Sequence, residues 1–216
     1  MESEFRFPGA GSGGCCGRWA CGVKKSLHAV ERDTDATRKR REKFRAAIAA
    51  VTAEKLKFLD ESGVTTQMPR RWGRAPRGER VHKATPDGRW QVLTTLGAMS
   101  LCGMEAVMTV ASATDGDVFC AYIEQVLCAQ LQSGDVVVMD NLSAYKVAGI
   151  RQLIEARGAR LLYLPPYSPD LNSIEKAWSK FKQFLRSAKA RTAEALDHAI
   201  TQALKTITGE NAAAWF

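Results

Sequence analysis

Three carboxylates in this chain stand where a fold could bring them together. Asp60 closes the run EKLKFLD, in which apolar residues alternate toward an acid, the pattern of a strand carrying a carboxylate at its C-terminal end. Asp140 closes DVVVMD, a continuous apolar run after Ser133-Gly134, as expected for a strand buried on both faces. Glu175 lies just inside a helix that can begin only after Pro165, Pro166 and Pro169 have forced an extended turn. In a mixed sheet the two strands can lie side by side, and a helix across their edge can bring Glu175 down to both aspartates. Three such carboxylates cannot all stay ionised without a neutralising cation, and an oxygen-only set suits Mg²⁺, with Mn²⁺ as its substitute. The chemistry open to that set is two-metal phosphoryl transfer: one ion activates water or a 3′-hydroxyl, the other stabilises the leaving oxygen.

Glu175 also has a plainer reading. Asn172 is a natural N-cap with Glu175 three positions on, the spacing of a capping box. The two strand-end aspartates tip the balance toward a metal role. Ile174, Trp178, Phe181 and Leu185 recur at helical spacing, so that face packs inward and Trp178 reads as core, while Lys176, Lys180 and Lys182 lie mostly off the stripe.

The elements that must position these acids follow from the same patterns. Residues 1–23 are Gly- and Cys-rich without a helical or strand period, and are expected to be poorly ordered. Residues 24–53 form a basic helical linker. Its run Arg38, Lys39, Arg40, Arg41 fits a solvated helix face and a DNA contact equally well. Residues 54–216 form one α/β domain. After Asp60, the residues Glu61, Ser62 and Gly63 read as a turn. Trp90–Met99 and Glu105–Ala111 read as a hairpin turning at Cys102 and Gly103. Residues 117–131 then form an amphipathic helix, residues 142–156 a crossover helix stopped by Gly158, residues 159–164 a further strand, and residues 192–208 a last helix. The predicted fold class is a mixed α/β sheet flanked by helices.

Composition bounds the function. With 216 residues and 45% hydrophobic content, the chain can bury one good core. It has no apolar run of membrane-span length, and its start lacks the apolar core of a signal peptide, so the cytosol is expected. Cys15, Cys16, Cys21, Cys102, Cys120 and Cys128 show no paired CxxC spacing, and His28, His82 and His198 lie far apart; scattered buried thiols are expected rather than zinc or disulfides. The net charge of +8 is unevenly spread: residues 91–140 contain six acids and no Lys or Arg. A basic periphery around an acid-only centre suits a polyanion outside and a cation inside. Arg70, Arg71, Trp72, Arg74 and Arg77, in MPRRWGRAPRG, can hold phosphates and stack on bases; Lys146, Lys180 and Lys182 extend the basic set.

The spans FLDESG, RRWGRAPRG, VVVMDN and LPPYSPDLNSIEKAW, with 34 residues between Asp140 and Glu175, resemble the DDE transposases of the IS630 branch of the IS630/Tc1/mariner superfamily. The resemblance runs from about Val23 to the C-terminus. It implies an RNase H-like fold, with Asp60, Asp140 and Glu175 as a Mg²⁺-binding triad. It also implies double-stranded DNA as partner, cleavage at terminal inverted repeats and joining at TA dinucleotides, by a homodimer associated with the bacterial nucleoid. The chain departs from the family at Tyr145, where relatives carry His, and at Ser173, where they carry Pro. Helix-turn-helix units, which normally precede the catalytic domain in that family, are not expected within these residues. The start reads as out of frame or as part of a gene, pointing to a separately encoded or frameshifted N-terminal DNA-binding part. Two other readings use the same residues: a catalytically silent DNA-binding remnant, and another RNase H-like nuclease.

Overall fold

The structure is a computed structural model that describes residues 29–69, 76, 79–82, 84, 90–141 and 149–216. Its centre is a five-stranded sheet built from β1 (Leu56–Thr65), β2 (Val92–Ser100), β3 (Gly103–Val110), β4 (Val136–Met139) and β5 (Arg160–Tyr163), in the order β3-β2-β1-β4-β5. The hairpin strands β2 and β3 run antiparallel to their neighbours, whereas β4 and β5 add in parallel through helical crossovers.

Successive strand residues face opposite sides, and the sheet is buried on both. Phe58, Val64, Val136 and Val138 point to one face and pack with α4 (Ile174–Ala188) and α5 (Ala193–Lys205). Leu59, Val137 and Met139 point to the other and meet α2 (Gly116–Tyr122) and α3 (Ile150–Glu155). The long helix α4 buries Ile174, Ala177, Trp178, Phe181 and Leu185, the stripe expected from spacing. Trp178 stacks edge-on against Phe181 at 5.3 Å, in keeping with its core reading. At the N-terminal side, α1 (Asp35–Ala49) is capped by the Thr34 hydroxyl, which accepts from the Thr37 backbone N–H. It buries Thr37, Arg41 and Phe44, and Phe44 joins the α4 core.

Several boundaries differ from the sequence reading. The strand β1 continues through Glu61, Ser62 and Gly63, which pair with Leu96, Thr95 and Thr94 of β2 instead of turning. A long antiparallel partner overrides the local turn signal. The expected helix over residues 117–131 is α2 followed by a π-helical turn, Ile123–Leu127, closed by the Cys128 N–H on the Ile123 carbonyl at 2.9 Å. That wider turn keeps Phe119, Tyr122, Ile123 and Leu127 all in the core. Described helix in the 142–156 stretch is limited to α3, residues 142–148 lying outside the described set. The C-terminal helix ends at Lys205, and a short helix α6 (Gly209–Ala213) follows with its own capping box from Thr208 and Asn211. Of the described cysteines, Cys128 is buried as expected, Cys120 is intermediate and Cys102 is exposed; all three are free thiols. No helix among the described residues is long and apolar enough to cross a membrane.

The turn that opens β3 ties the sheet to the C-terminal segment. Gly103 has φ +117°, and a Cβ there would stand 2.9 Å from the Ile207 carbonyl oxygen. Gly103→Ala is therefore expected to destabilise the fold by more than about 1 kcal/mol, read as a lower urea midpoint at unchanged m.

Candidate active site

Register brings the two aspartates together. Parallel pairing of β1 with β4 ends at Leu59 opposite Met139, so the next residues on the two chains are Asp60 and Asp140. Period-two alternation places Asp60 with Phe58, and Asp140 with Val136 and Val138, toward the face that α4 covers. Asp60 is thus not at the end of its strand, as its sequence suggested, but where the parallel half of the sheet stops and the antiparallel half runs on.

The third carboxylate arrives by way of the proline turn. After β5 the Leu164 N–H bonds the Met139 carbonyl at 2.8 Å, and Pro165 to Ser168 then turn the chain, with Tyr167 in the left-handed region at φ 55°. A 3₁₀ turn, Pro169–Leu171, precedes α4. The helix begins one residue later than its cap signal implies: Ser173 is the N-cap, makes no side-chain cap bond, and Asn172 is extended. The expected capping box is not formed. Instead the Asn172 amide Nδ2 donates to Asp60 Oδ2 at 3.3 Å, a charge-assisted bond that turns the side chain toward the carboxylate and away from the helix-end N–H groups that its oxygen would cap.

Asp60, Asp140, Glu175 and Asn172 line one cavity of about 130 Å³, together with Leu164, Pro165, Tyr167, Ser168 and Pro169. Asp60 is half-buried within it and Glu175 is exposed at its edge. Burial pushes the Asp60 carboxyl up to about 7; the Glu61 backbone N–H, bonded to Oδ1 at 2.8 Å, pulls the other way, and the charges of Glu175 and Asp140 add to the rise. Asp140 Oδ1 accepts the Asn141 backbone N–H at 2.6 Å. These donors leave Asp60 short of positive charge, which a divalent cation would supply. All the oxygen donors are hard, as Mg²⁺ or Mn²⁺ requires. Among the described residues no three His, Cys, Asp or Glu side chains are gathered tightly enough to hold one ion between them. The three carboxylates line one cavity without forming such a cluster.

The turn itself is clamped. Arg41, only 5% exposed, donates to Asp170 Oδ1 at 3.0 Å and Oδ2 at 2.7 Å and to Ser168 Oγ at 2.6 Å, and Arg32 reaches Asp170 Oδ2 at 3.2 Å. The Ser168 hydroxyl donates in turn to the Pro166 carbonyl. Of the basic run on α1, Arg38, Lys39 and Arg40 are exposed, while Arg41 is neither solvated nor open to DNA. A larger, mostly apolar groove of about 610 Å³ opens beyond Glu175, lined by Phe44, Ile48, Phe58, Trp215 and Phe216 among others; it shares Asn172 and Glu175 with the smaller cavity, and only the smaller one is lined by Asp60 and Asp140.

The residues assigned to DNA from sequence are placed unevenly. Arg70, Arg71, Trp72, Arg74, Arg77 and Lys146 lie outside the described residues, as does Tyr145. Lys180 is half-buried and its ammonium donates to the Thr206 carbonyl at 2.6 Å and to Asn211 Oδ1, tying α4 to the C-terminal turn; that bonding competes with a phosphate contact. Lys182 is half-buried on the same helix. Asn172 and Arg41 were the site's unrecognised members. The first was hidden by its strength as a cap, the second by three like neighbours.

Residues 55–197 match the family described as DDE superfamily endonuclease. No curated protein matches the chain. Among solved structures, the Mos1 transposase paired-end complex with left transposon end is similar at TM-score 0.71 and 13% identity, over 91% of this chain and 63% of that one. A pre-cleavage Mos1 transpososome is similar at TM-score 0.68 and 12% identity, over 91% and 63%. The catalytic domain of Mos1 mariner transposase matches at TM-score 0.56 and 12% identity, over 90% of each chain. The chain thus spans under two thirds of the polypeptide in those two complexes, and the shared fold is RNase H-like.

Proposed function

The chain belongs to the DDE superfamily endonucleases, and from that premise we propose that it is the catalytic domain of a transposase cutting DNA with divalent cations held by Asp60, Asp140 and Glu175. The observation that carries this reading is the single cavity lined by all three carboxylates, with Asp60 driven toward neutrality by burial and by the other two. When bound, the cations supply Lewis-acid activation of water or a 3′-hydroxyl and stabilise the leaving oxygen. The chain's part is positioning. The sheet fixes Asp60 beside Asp140 by register, and the Arg41 clamp on the proline turn fixes where α4 begins and so where Glu175 stands. Asn172 orients Asp60 through its amide N–H.

The finer reading is cleavage at terminal inverted repeats and strand transfer into TA sites, carried out on bacterial chromosomal DNA by a homodimer with a separately supplied DNA-recognition part. It is supported by the likeness of LPPYSPDLNSIEKAW and VVVMDN to the IS630 branch. Mg²⁺ is the proposed ion, with Mn²⁺ substituting. The test is incubation of the full chain with a linear duplex carrying inverted repeats bordered by TA, in Mg²⁺, Mn²⁺ or EDTA. Cleavage that needs the cation is expected; cleavage undiminished in EDTA would overturn the proposal.

DNA affinity is expected to be largely electrostatic, from Arg70, Arg71, Arg74, Arg77, Lys146 and Lys182, with Trp72 stacking. Binding to a nonspecific duplex measured between 50 and 200 mM salt should weaken by about a thousandfold if six phosphates are engaged. Affinity flat across that range would remove the basic set from the interface.

A further inference from the structure

Asn172 is 5% exposed and lines the cavity that holds Asp60, Asp140 and Glu175. Its Nδ2 is used, donating to Asp60 Oδ2 at 3.3 Å. Its Oδ1 is buried with no hydrogen-bond partner in the protein. A buried amide oxygen left unpaired is costly and is rare in native structures unless something outside the chain satisfies it. What is missing must be a donor or a cation, because an amide oxygen can only accept. The backbone gives the same sign: Asn172 sits between a 3₁₀ turn and α4 without capping the helix, so its side chain is spent on the cavity.

We propose that Asn172 supports the cation site from outside the ligand set, its amide N–H holding Asp60 while its amide oxygen accepts from the hydration shell of the bound divalent cation. The proposal rests on the functional reading above. Mg²⁺ is bound by few protein carboxylates and keeps several waters, each of which brings hydrogens that need acceptors. Asp60 and Asp140 each have one oxygen bonded to the backbone N–H of the next residue, and the second oxygen of Asp60 is taken by Asn172 itself. A neutral acceptor beside them accommodates such a hydrogen without adding charge to an already crowded acidic cavity. Asn172 is in this sense a positioning residue: it acts on Asp60 and on the ion's water, not on the reacting phosphate.

The experiment is titration of the full chain with Mn²⁺, without DNA, reading free Mn²⁺ by electron paramagnetic resonance. Asn172→Ala removes both amide functions and is expected to weaken Mn²⁺ binding by about tenfold, the effect typical of a group supporting metal ligands. Asn172→Asp is nearly isosteric and keeps the oxygen, and is expected to bind Mn²⁺ at least as tightly as the wild type. It also guards against an alanine variant that fails to fold. A residue that merely shaped the turn would not separate the two variants in this way. Mn²⁺ affinity within twofold of wild type in folded Asn172→Ala, or an equal loss in Asn172→Asp, would overturn the proposal. Asp60→Asn in the same titration separates the two readings. Binding that survives it sinks the triad assignment and this inference with it, whereas binding lost in Asp60→Asn but kept in Asn172→Ala sinks this inference alone.

Discussion

Asp60→Asn is expected to lower cation-dependent cleavage at least about a thousandfold, the scale lost when a preorganised contact to a developing charge is removed, and at the same time to make the metal-free protein more stable at pH 8. The two effects have one cause. Burial, then the neighbouring Glu175 and Asp140, hold the Asp60 carboxyl at about 7 against an ordinary 3.8. For an acid whose pKa is raised by folding, the native state binds the proton more tightly than the unfolded chain. Stability is therefore unaffected below about pH 4, falls as pH rises from there toward 7, and carries the full penalty above 7. The amide of Asn keeps an acceptor for the Glu61 N–H and removes the charge, so its thermal midpoint should exceed the wild type's at pH 8 and match it near pH 3.5. Adding Mg²⁺ or Mn²⁺ should raise the wild-type midpoint and leave that of Asp60→Asn unchanged, since only the wild type gains a ligand on folding. Asp140→Asn and Glu175→Gln should lose cleavage to a similar degree with DNA binding retained. A variant of any of the three that cleaves at the wild-type rate, measured on the inverted-repeat duplex, would remove that residue from the triad.

The adjacency of Asp60 and Asp140 could be argued from sequence because it depends on two strong local signals, apolar runs ending on acids, joined by the parallel pairing that a crossover helix imposes. What the sequence hid were outcomes decided by partners far along the chain. Glu61-Ser62-Gly63 has turn composition, yet β2, some thirty residues on, offers a full set of backbone partners, and the strand continues. Asn172 has high cap propensity worth about 1 kcal/mol, yet Asp60, separated from it by 112 positions, draws the amide away. The basic run Arg38 to Arg41 is uniform as text. The helical period turns one of its four members inward, and only the placement of Asp170 shows that the buried one is paired. In each case the local preference was real and was outbid by a contact with no trace in the neighbouring sequence.

That last contact carries the largest expected effect on stability. Asp170→Ala should cost about 2 kcal/mol, the scale of hydrogen bonds to a charged group and below the loss for a fully buried ion pair, because solvent reaches the aspartate. The pair is asymmetric: the Arg41 side chain is 6% exposed and Asp170 39%. Removing the aspartate leaves a largely enclosed guanidinium with Ser168 as its other hydrogen-bond partner, served by water only from the side the aspartate vacates. Removing Arg41 leaves a carboxylate that solvent and Arg32 can still serve, so Arg41→Ala should cost less despite deleting the larger side chain. The ordering of the two variants by urea denaturation checks the argument, and a loss below about 0.5 kcal/mol in Asp170→Ala, the level of an ordinary surface change, would defeat it. Acid should dissect the same contact. The Arg41 hydrogen bonds hold the Asp170 carboxyl below the usual carboxylate range. Its contribution is thus complete above the ordinary pKa near 4 and is lost as pH falls through the lowered one, so the wild type should lose more stability on acidification than Asp170→Asn does. Cleavage should follow, because the clamp sets the turn from which Asn172 and Glu175 enter the cavity, and a displacement of about 1 Å there can cost a hundredfold in rate. The clamping helix α1 lies before residue 55, where the family match begins. A chain that begins at residue 55 and keeps its C-terminal helices should therefore retain Asp60, Asp140 and Glu175 yet cleave poorly. Full cleavage by that truncated chain would show that the turn holds its shape without α1.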